Sequence, residues 1–151
     1  MTRRLDVSAI NSGFLDSFDF VLTDCDGVLW NGNEVIPGAK ETINALQEMG
    51  KTVIFVTNNS TKARNEYNKK CEMLGFKASM DKIFPTSYCV AVYLKSIEFR
   101  KKVYVFGSTG ITGELEKAGI PFLPIGPDTL PEVENWHEWV TKDLKLDPEY
   151  T

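Results

Sequence analysis

The chain has 151 residues, 42% hydrophobic and 25% charged, which suffices for one globular domain with a real core and excludes a wholly disordered chain. A formal net charge of -4 excludes a general attraction for nucleic acid or an anionic membrane, so an anionic ligand needs a local cradle of cations or amides. No apolar run approaches the roughly 18 residues of a membrane span, Met1–Asp16 lacks the apolar stretch of a secretory leader, and the three scattered cysteines, Cys25, Cys71 and Cys89, read as reduced thiols of a cytoplasmic protein.

In chain order, Phe18–Thr23 (FDFVLT) is a β-branched and aromatic run that ends abruptly in the polar segment DCDG, which predicts a buried strand feeding a functional loop. After the turn-rich WNGNEVIPG, the residues Ala39, Ile43, Leu46 and Met49 recur at helical spacing and Gly50 supplies a stop. Thr52–Val56 (TVIFV) predicts a second strand that runs into TNNST, followed by a helix over Ala63–Leu74 closed by Gly75. Ser87–Lys95 reads as a further helix. Lys102–Phe106 (KVYVF) reads as a third strand, opening onto GSTG and a helix that ends near Gly119. Strands alternating with helices predict an α/β fold with a parallel sheet and right-handed crossovers.

The rest of the chain differs in character. From Asp128 to Thr151 acidic residues outnumber basic ones, prolines stand at 131 and 148, and only Trp136, Trp139 and Val140 hint at a helix. The domain reading is therefore a catalytic-core portion over residues 1–127 and a loosely attached acidic tail over 128–151. His137 lies in that tail and receives no role.

Sites in open parallel sheets form beyond the carboxyl ends of the strands, and two polar clusters stand at such ends. The first is Asp24-Cys25-Asp26-Gly27. In an extended segment alternate side chains share a face, so Asp24 and Asp26 are expected to point together while Cys25 turns into the core. Two such carboxylates repel unless a cation neutralises them, and oxygen-only ligation favours a hard ion such as Mg²⁺. The second cluster is Thr57, Asn58, Asn59 and Ser60, just ahead of a helix. Its hydroxyls, amides and backbone N–H groups suit the oxygens of a phosphate, and Ser60 or Asn59 equally suits a helix cap.

FVLTDCDGVLW followed by FVTNNSTK resembles the haloacid dehalogenase-like phosphatases, and within them the C2-capped branch that contains phosphoglycolate, pyridoxal phosphate and 4-nitrophenyl phosphatases. The resemblance runs from about Phe18 to Gly119, through IPGAKETINALQEMGK and KVYVFGSTGITGELEKAGI. It implies a three-layer Rossmann-like parallel sheet. It also implies a magnesium-dependent phosphomonoester hydrolase in which Asp24 is the nucleophile that becomes an aspartyl phosphate and Asp26 is the general acid and base. By the same resemblance the ion is held by the Asp24 carboxylate and the backbone carbonyl at Asp26, while Thr57, Asn58 and Asn59 contact the phosphate.

The family pattern continues into a cap domain, a phosphate-binding lysine and an acidic GD motif that this sequence lacks. The expectation is thus an incomplete core, without the cap and the later core strands, that has little or no activity alone and leaves Phe18–Thr23 as an exposed apolar edge. Other outcomes are a phosphotransferase, or a non-catalytic fragment that serves as a binding or decoy partner. The expected partner is a small phosphorylated metabolite rather than nucleic acid or membrane, and a homodimer is conceivable for a full-length relative.

Several residues have plainer readings. Lys62 and Arg64 could replace the lysine but read as surface charges at a helix start. Trp30 either lines a substrate entrance or packs under the turn. Cys25 reads as an inert buried thiol, and GSTG as a tight strand-to-helix turn because the lysine of a P-loop is absent.

Overall fold

The computed structural model describes residues 13–126, so the acidic stretch 128–151, with His137, lies outside the described residues. The described residues form two compact units: the chain up to Asn58 together with Asn65–Phe84, and Asn59–Arg64 together with the chain from Pro85 onward.

In the first unit a short 3-10 turn, Phe14–Ser17, precedes β1 (Phe20–Asp24). A small antiparallel pair follows, β2 (Trp30–Asn31) with β3 (Glu34–Val35), in the stretch whose sequence shows only turn residues. Then come α1 (Ala39–Glu48), β4 (Thr52–Thr57), α2 (Arg64–Met73), a 3-10 turn at Met80–Lys82 and β5 (Ile83–Pro85). The sheet order is β1-β4-β5, and β1 runs parallel to β4 with Phe20 opposite Thr52 and Asp24 opposite Val56. Parallel neighbours need a crossover, which α1 supplies.

Glycine sets where the helices stop. Gly50 has φ 83°, and beyond α1 its N–H and that of Lys51 donate to the carbonyls of Gln47 and Leu46, both at 3.0 Å. The same pattern closes α2: Gly75 has φ 83°, and Phe76 N–H donates to Cys71 O at 2.9 Å. This left-handed turn pairs the last carbonyls and drops Phe76 into the core. That core joins Cys25, Leu29, Trp30, Ile43, Val53, Phe55, Tyr67, Cys71, Phe76 and Ile83.

The apolar run alone predicts a buried strand, whereas the incomplete core predicts an exposed apolar edge, and the structure agrees with the second. β1 stands at the edge of the sheet, with Val21 against the core while Phe20 and Leu22 remain 62% and 69% exposed. Its apolar run marks a strand apolar on both faces, of which only one is covered here.

The second unit holds α3 (Thr86–Ser96) and α4 (Thr109–Ala118) around Ala91, Val105, Leu115 and Ile120. Lys102–Phe106 is not the third strand. Val103 and Phe106 make only isolated parallel bridges, to Phe122 and Gly126, and the third strand of the sheet is the short β5. The alternation in KVYVF is real, since Val105 is buried and Tyr104 and Phe106 are exposed. Its partner segment carries Pro121 and Pro124, which have no N–H with which to extend a ladder.

Candidate functional site

Asp24 is the last residue of β1 and is exposed; its Oδ1 accepts the Cys25 N–H at 2.8 Å. It lines an open groove with Leu22, Thr23, Val56 and Asn58. The register explains this company, because Val56 is the residue directly opposite Asp24. Asn58 follows two positions later on the same side of an extended chain.

Between the two carboxylates the chain turns inward. Cys25 is 2% exposed, and its carbonyl gathers the N–H groups of Val28, Leu29 and Trp30 at 3.3, 2.8 and 3.2 Å. Gly27, at φ 81°, donates its N–H to Trp30 O at 2.8 Å and closes the loop tip. A left-handed residue is required there, which glycine supplies without steric cost. Burial pushes the Cys25 thiol up to about 12, with Cys71, Asp24 and Asp26 adding to the effect, and burial likewise pushes Cys71 up to about 12. Cys25 is thus an unreactive core thiol.

Asp26 is held from three directions. Trp30 donates its indole N–H to Asp26 Oδ1 at 2.9 Å, and Thr57 donates its hydroxyl to Asp26 Oδ2 at 3.2 Å. Lys70, on α2, brings Nζ to 3.9 Å from Asp26 Oδ1. Thr57 is 2% exposed and ends β4 on the face shared with Val53 and Phe55, so the core fixes its position. Trp30 is fully buried, which decides between its two readings: the ring packs under the turn and its N–H faces Asp26. The structure therefore joins Thr57 to Asp26, and places Asp24 and Asn58 along one groove. The expectation that Asp24 and Asp26 point together needs correction: Asp24 meets Val56 and Asn58 on the exposed face of β4, whereas Asp26 bonds Thr57 on the core face, because the chain turns inward at Cys25 and leaves the extended alternation.

Asn59 belongs to the second unit, where its side-chain oxygen accepts the Thr61 N–H and hydroxyl at 3.0 and 2.7 Å, a local turn. At the start of α2, Arg64 N–H donates to Glu114 Oε1 at 2.6 Å, so an acceptor on α4 receives it. Glu114 is 4% exposed and also accepts from Lys117 Nζ at 3.1 Å. Arg64 stacks its guanidinium 3.8 Å from the centre of the Tyr88 ring. GSTG is a packing turn: a Cβ on Gly110 would meet the backbone of Ser60 and Lys62.

Sequence reasoning missed Lys70, Trp30 as a donor, and Glu114. The available signal for Lys70 was its position on α2 beside the buried Tyr67 and Cys71, which turns it toward the core.

As a donor, the Asp24 carboxylate offers oxygen alone, beside an open groove. Among the described residues no three His, Cys, Asp or Glu gather as a metal cluster. Such a donor fits Mg²⁺, a hard ion that uses one or two carboxylates and keeps several waters.

A parallel α/β sheet with an acidic loop at its carboxyl edge defines a class of enzyme fold rather than one reaction. The haloacid dehalogenase-like hydrolase family matches residues 21–121, and the chain belongs to it. Phosphoglycolate phosphatase 1A, chloroplastic, of Arabidopsis thaliana is 49% identical over 116 residues, which are 76% of this chain and 32% of that protein. The 4-nitrophenylphosphatase of Schizosaccharomyces pombe is 42% identical over 126 residues, 82% of this chain and 42% of that protein. Among solved structures, the p-nitrophenyl phosphatase from Archaeoglobus fulgidus aligns with a TM-score of 0.64 at 31% identity, covering 69% of this chain and 40% of that one. The chain spans less than half the length of each of these relatives. No helix among the described residues is long and apolar enough to cross a membrane.

Proposed function

We propose that this chain carries the nucleophile-bearing part of a magnesium-dependent phosphomonoester hydrolase that works through an aspartyl phosphate. Two observations carry the reading: Asp24 is exposed on a groove shared with Asn58, and Asp26, two residues further along, is held by Thr57 and Trp30. The phosphatase names of the relatives support the same reading.

In the first step the Asp24 carboxylate attacks phosphorus, the bond from phosphorus to the ester oxygen breaks, and Asp26 gives its proton to the departing alkoxide. In the second, Asp26 takes a proton from water, the hydroxide attacks phosphorus, and inorganic phosphate leaves with Asp24 restored. Asn58 and Thr57 border the oxygens of the transferring group. Mg²⁺, bound by the Asp24 carboxylate and the Asp26 carbonyl, would offset charge on those oxygens. The substrate class is a small soluble phosphate monoester of the phosphoglycolate or 4-nitrophenyl phosphate type, met in the cytoplasm where the thiols stay reduced.

Phosphate release from 4-nitrophenyl phosphate with Mg²⁺ tests the proposal. Asp24→Asn is expected to abolish release and to prevent a beryllium fluoride adduct at residue 24. Release that Asp24→Asn leaves undiminished overturns it, and so does a natural chain that neither releases phosphate nor forms the beryllium fluoride adduct.

A further inference from the structure

We propose that Lys70 is a positioning residue for Asp26, holding its carboxylate in the orientation that the hydrolase reading above requires. This inference rests on that reading for its functional meaning, but not for its geometry.

Asp26 is well exposed, with a side chain 39% accessible, and an aspartate so placed ordinarily samples several rotamers. Here three elements restrain it. Thr57 at the end of β4 takes Oδ2, while Trp30 in β2 and Lys70 in α2 both approach Oδ1. Lys70 is the unusual member. Its side chain is only 11% exposed although it belongs to a residue type that normally extends into water, as its neighbour Lys69 does.

Removing an ammonium from water is costly unless other groups replace the lost solvation. Two do so. Nζ lies 4.6 Å over the Trp30 ring, within range of a cation–π contact, and 3.9 Å from Asp26 Oδ1. The Trp30 ring therefore does two jobs, with its face under the ammonium and its N–H on the carboxylate. Because Trp30 is fully buried, neither the shelf nor the indole donor can drift. A lysine whose stem is already immobilised loses little further freedom when it engages Asp26, so its charge acts as a fixed restraint.

Two-dimensional NMR of the ¹⁵N-labelled full chain tests this through the Trp30 indole N–H, assigned by its disappearance in Trp30→Phe. Lys70→Met and Lys70→Gln are both measured, so that a folding failure of one leaves the other. Each is expected to move the indole resonance and to speed its exchange with water by about tenfold, with core amide resonances unchanged. Lys70→Arg is expected to restore the natural position. In an Asp26→Asn background the same Lys70 changes are expected to move the indole resonance by less, through the lost cation–π contact alone, and to leave its exchange with water unaltered. An indole resonance indifferent to loss of the lysine overturns the proposal. So does a shift of equal size in the Asp26→Asn background, which would mean that Lys70 acts on the ring alone. Failure of the phosphatase reading is separately visible, as undiminished phosphate release by Asp24→Asn, and does not alter the indole result.

Discussion

The Trp30 indole N–H lies 2.9 Å from Asp26 Oδ1, and a fully buried ring thereby fixes a carboxylate that stands in solvent. The pair are four residues apart, joined by a loop in which three N–H groups converge on the Cys25 carbonyl and Gly27 N–H donates to Trp30 O. Trp30→Phe keeps an aromatic body and deletes the donor. It should cost about 2 kcal/mol of folding stability, from a lost bond to a charged acceptor and a smaller ring. Trp30→Ala should cost about 3–5 kcal/mol because it empties the core beside Phe76. Denaturant midpoints at constant slope measure both.

Asp26 is proposed to protonate the leaving oxygen, so its value depends on how poor the leaving group is. Asp26→Asn should lower turnover of an alkyl phosphate by about 10²–10⁴. Turnover of 4-nitrophenyl phosphate should fall far less, because nitrophenolate departs without a proton. The ratio of kcat/KM for the two esters checks this, and an equal loss on both would remove Asp26 from the acid role.

Local signals carried much of the fold. Gly50 and Gly75 mark helix ends because only a residue without Cβ enters φ near 83° freely, and both helices stop where the sequence places the stop. β1 and β4 were readable because apolar runs break at Asp24 and Thr57, the same residues that open the polar clusters. Long-range partners were not readable. Lys70 reaches Asp26, and Glu114 accepts the N–H of Arg64 fifty residues away, and no local pattern encodes such pairings. Lys102–Phe106 misled because alternation reports which side chains are buried, whereas a strand also needs a neighbour able to continue the ladder.

The outer face of β1 leads to a test of association. Phe20 and Leu22 point away from the core on an edge strand, an arrangement that favours pairing with other chains. Thr keeps the strand propensity of both positions. Phe20→Thr with Leu22→Thr should therefore change stability by about 0.5 kcal/mol or less and reduce light scattering of concentrated solutions. Unchanged scattering would show that this edge does not drive association.

The thiols give a prediction in pH. Cys25 and Cys71 are raised in the folded chain from 9.0 to about 12 by burial. Once unfolded, both revert to ordinary thiols that lose their protons near pH 9.0. Below that value neither state has ionised, and the two cysteines leave stability unaffected by pH. Above it the unfolded chain binds fewer protons than the folded one, so stability declines as pH rises, until the folded thiols ionise near 12. Cys25→Ser with Cys71→Ser should flatten that alkaline decline in denaturant midpoints, whatever it costs at neutral pH. The same burial makes reactivity selective. Iodoacetamide at pH 8 should alkylate the exposed Cys89 promptly, and Cys25 and Cys71 only on unfolding, as peptide mass spectrometry would record. Rapid alkylation of Cys25 in the native chain would mean that the loop from Cys25 to Trp30 opens far more often than its three converging backbone hydrogen bonds allow.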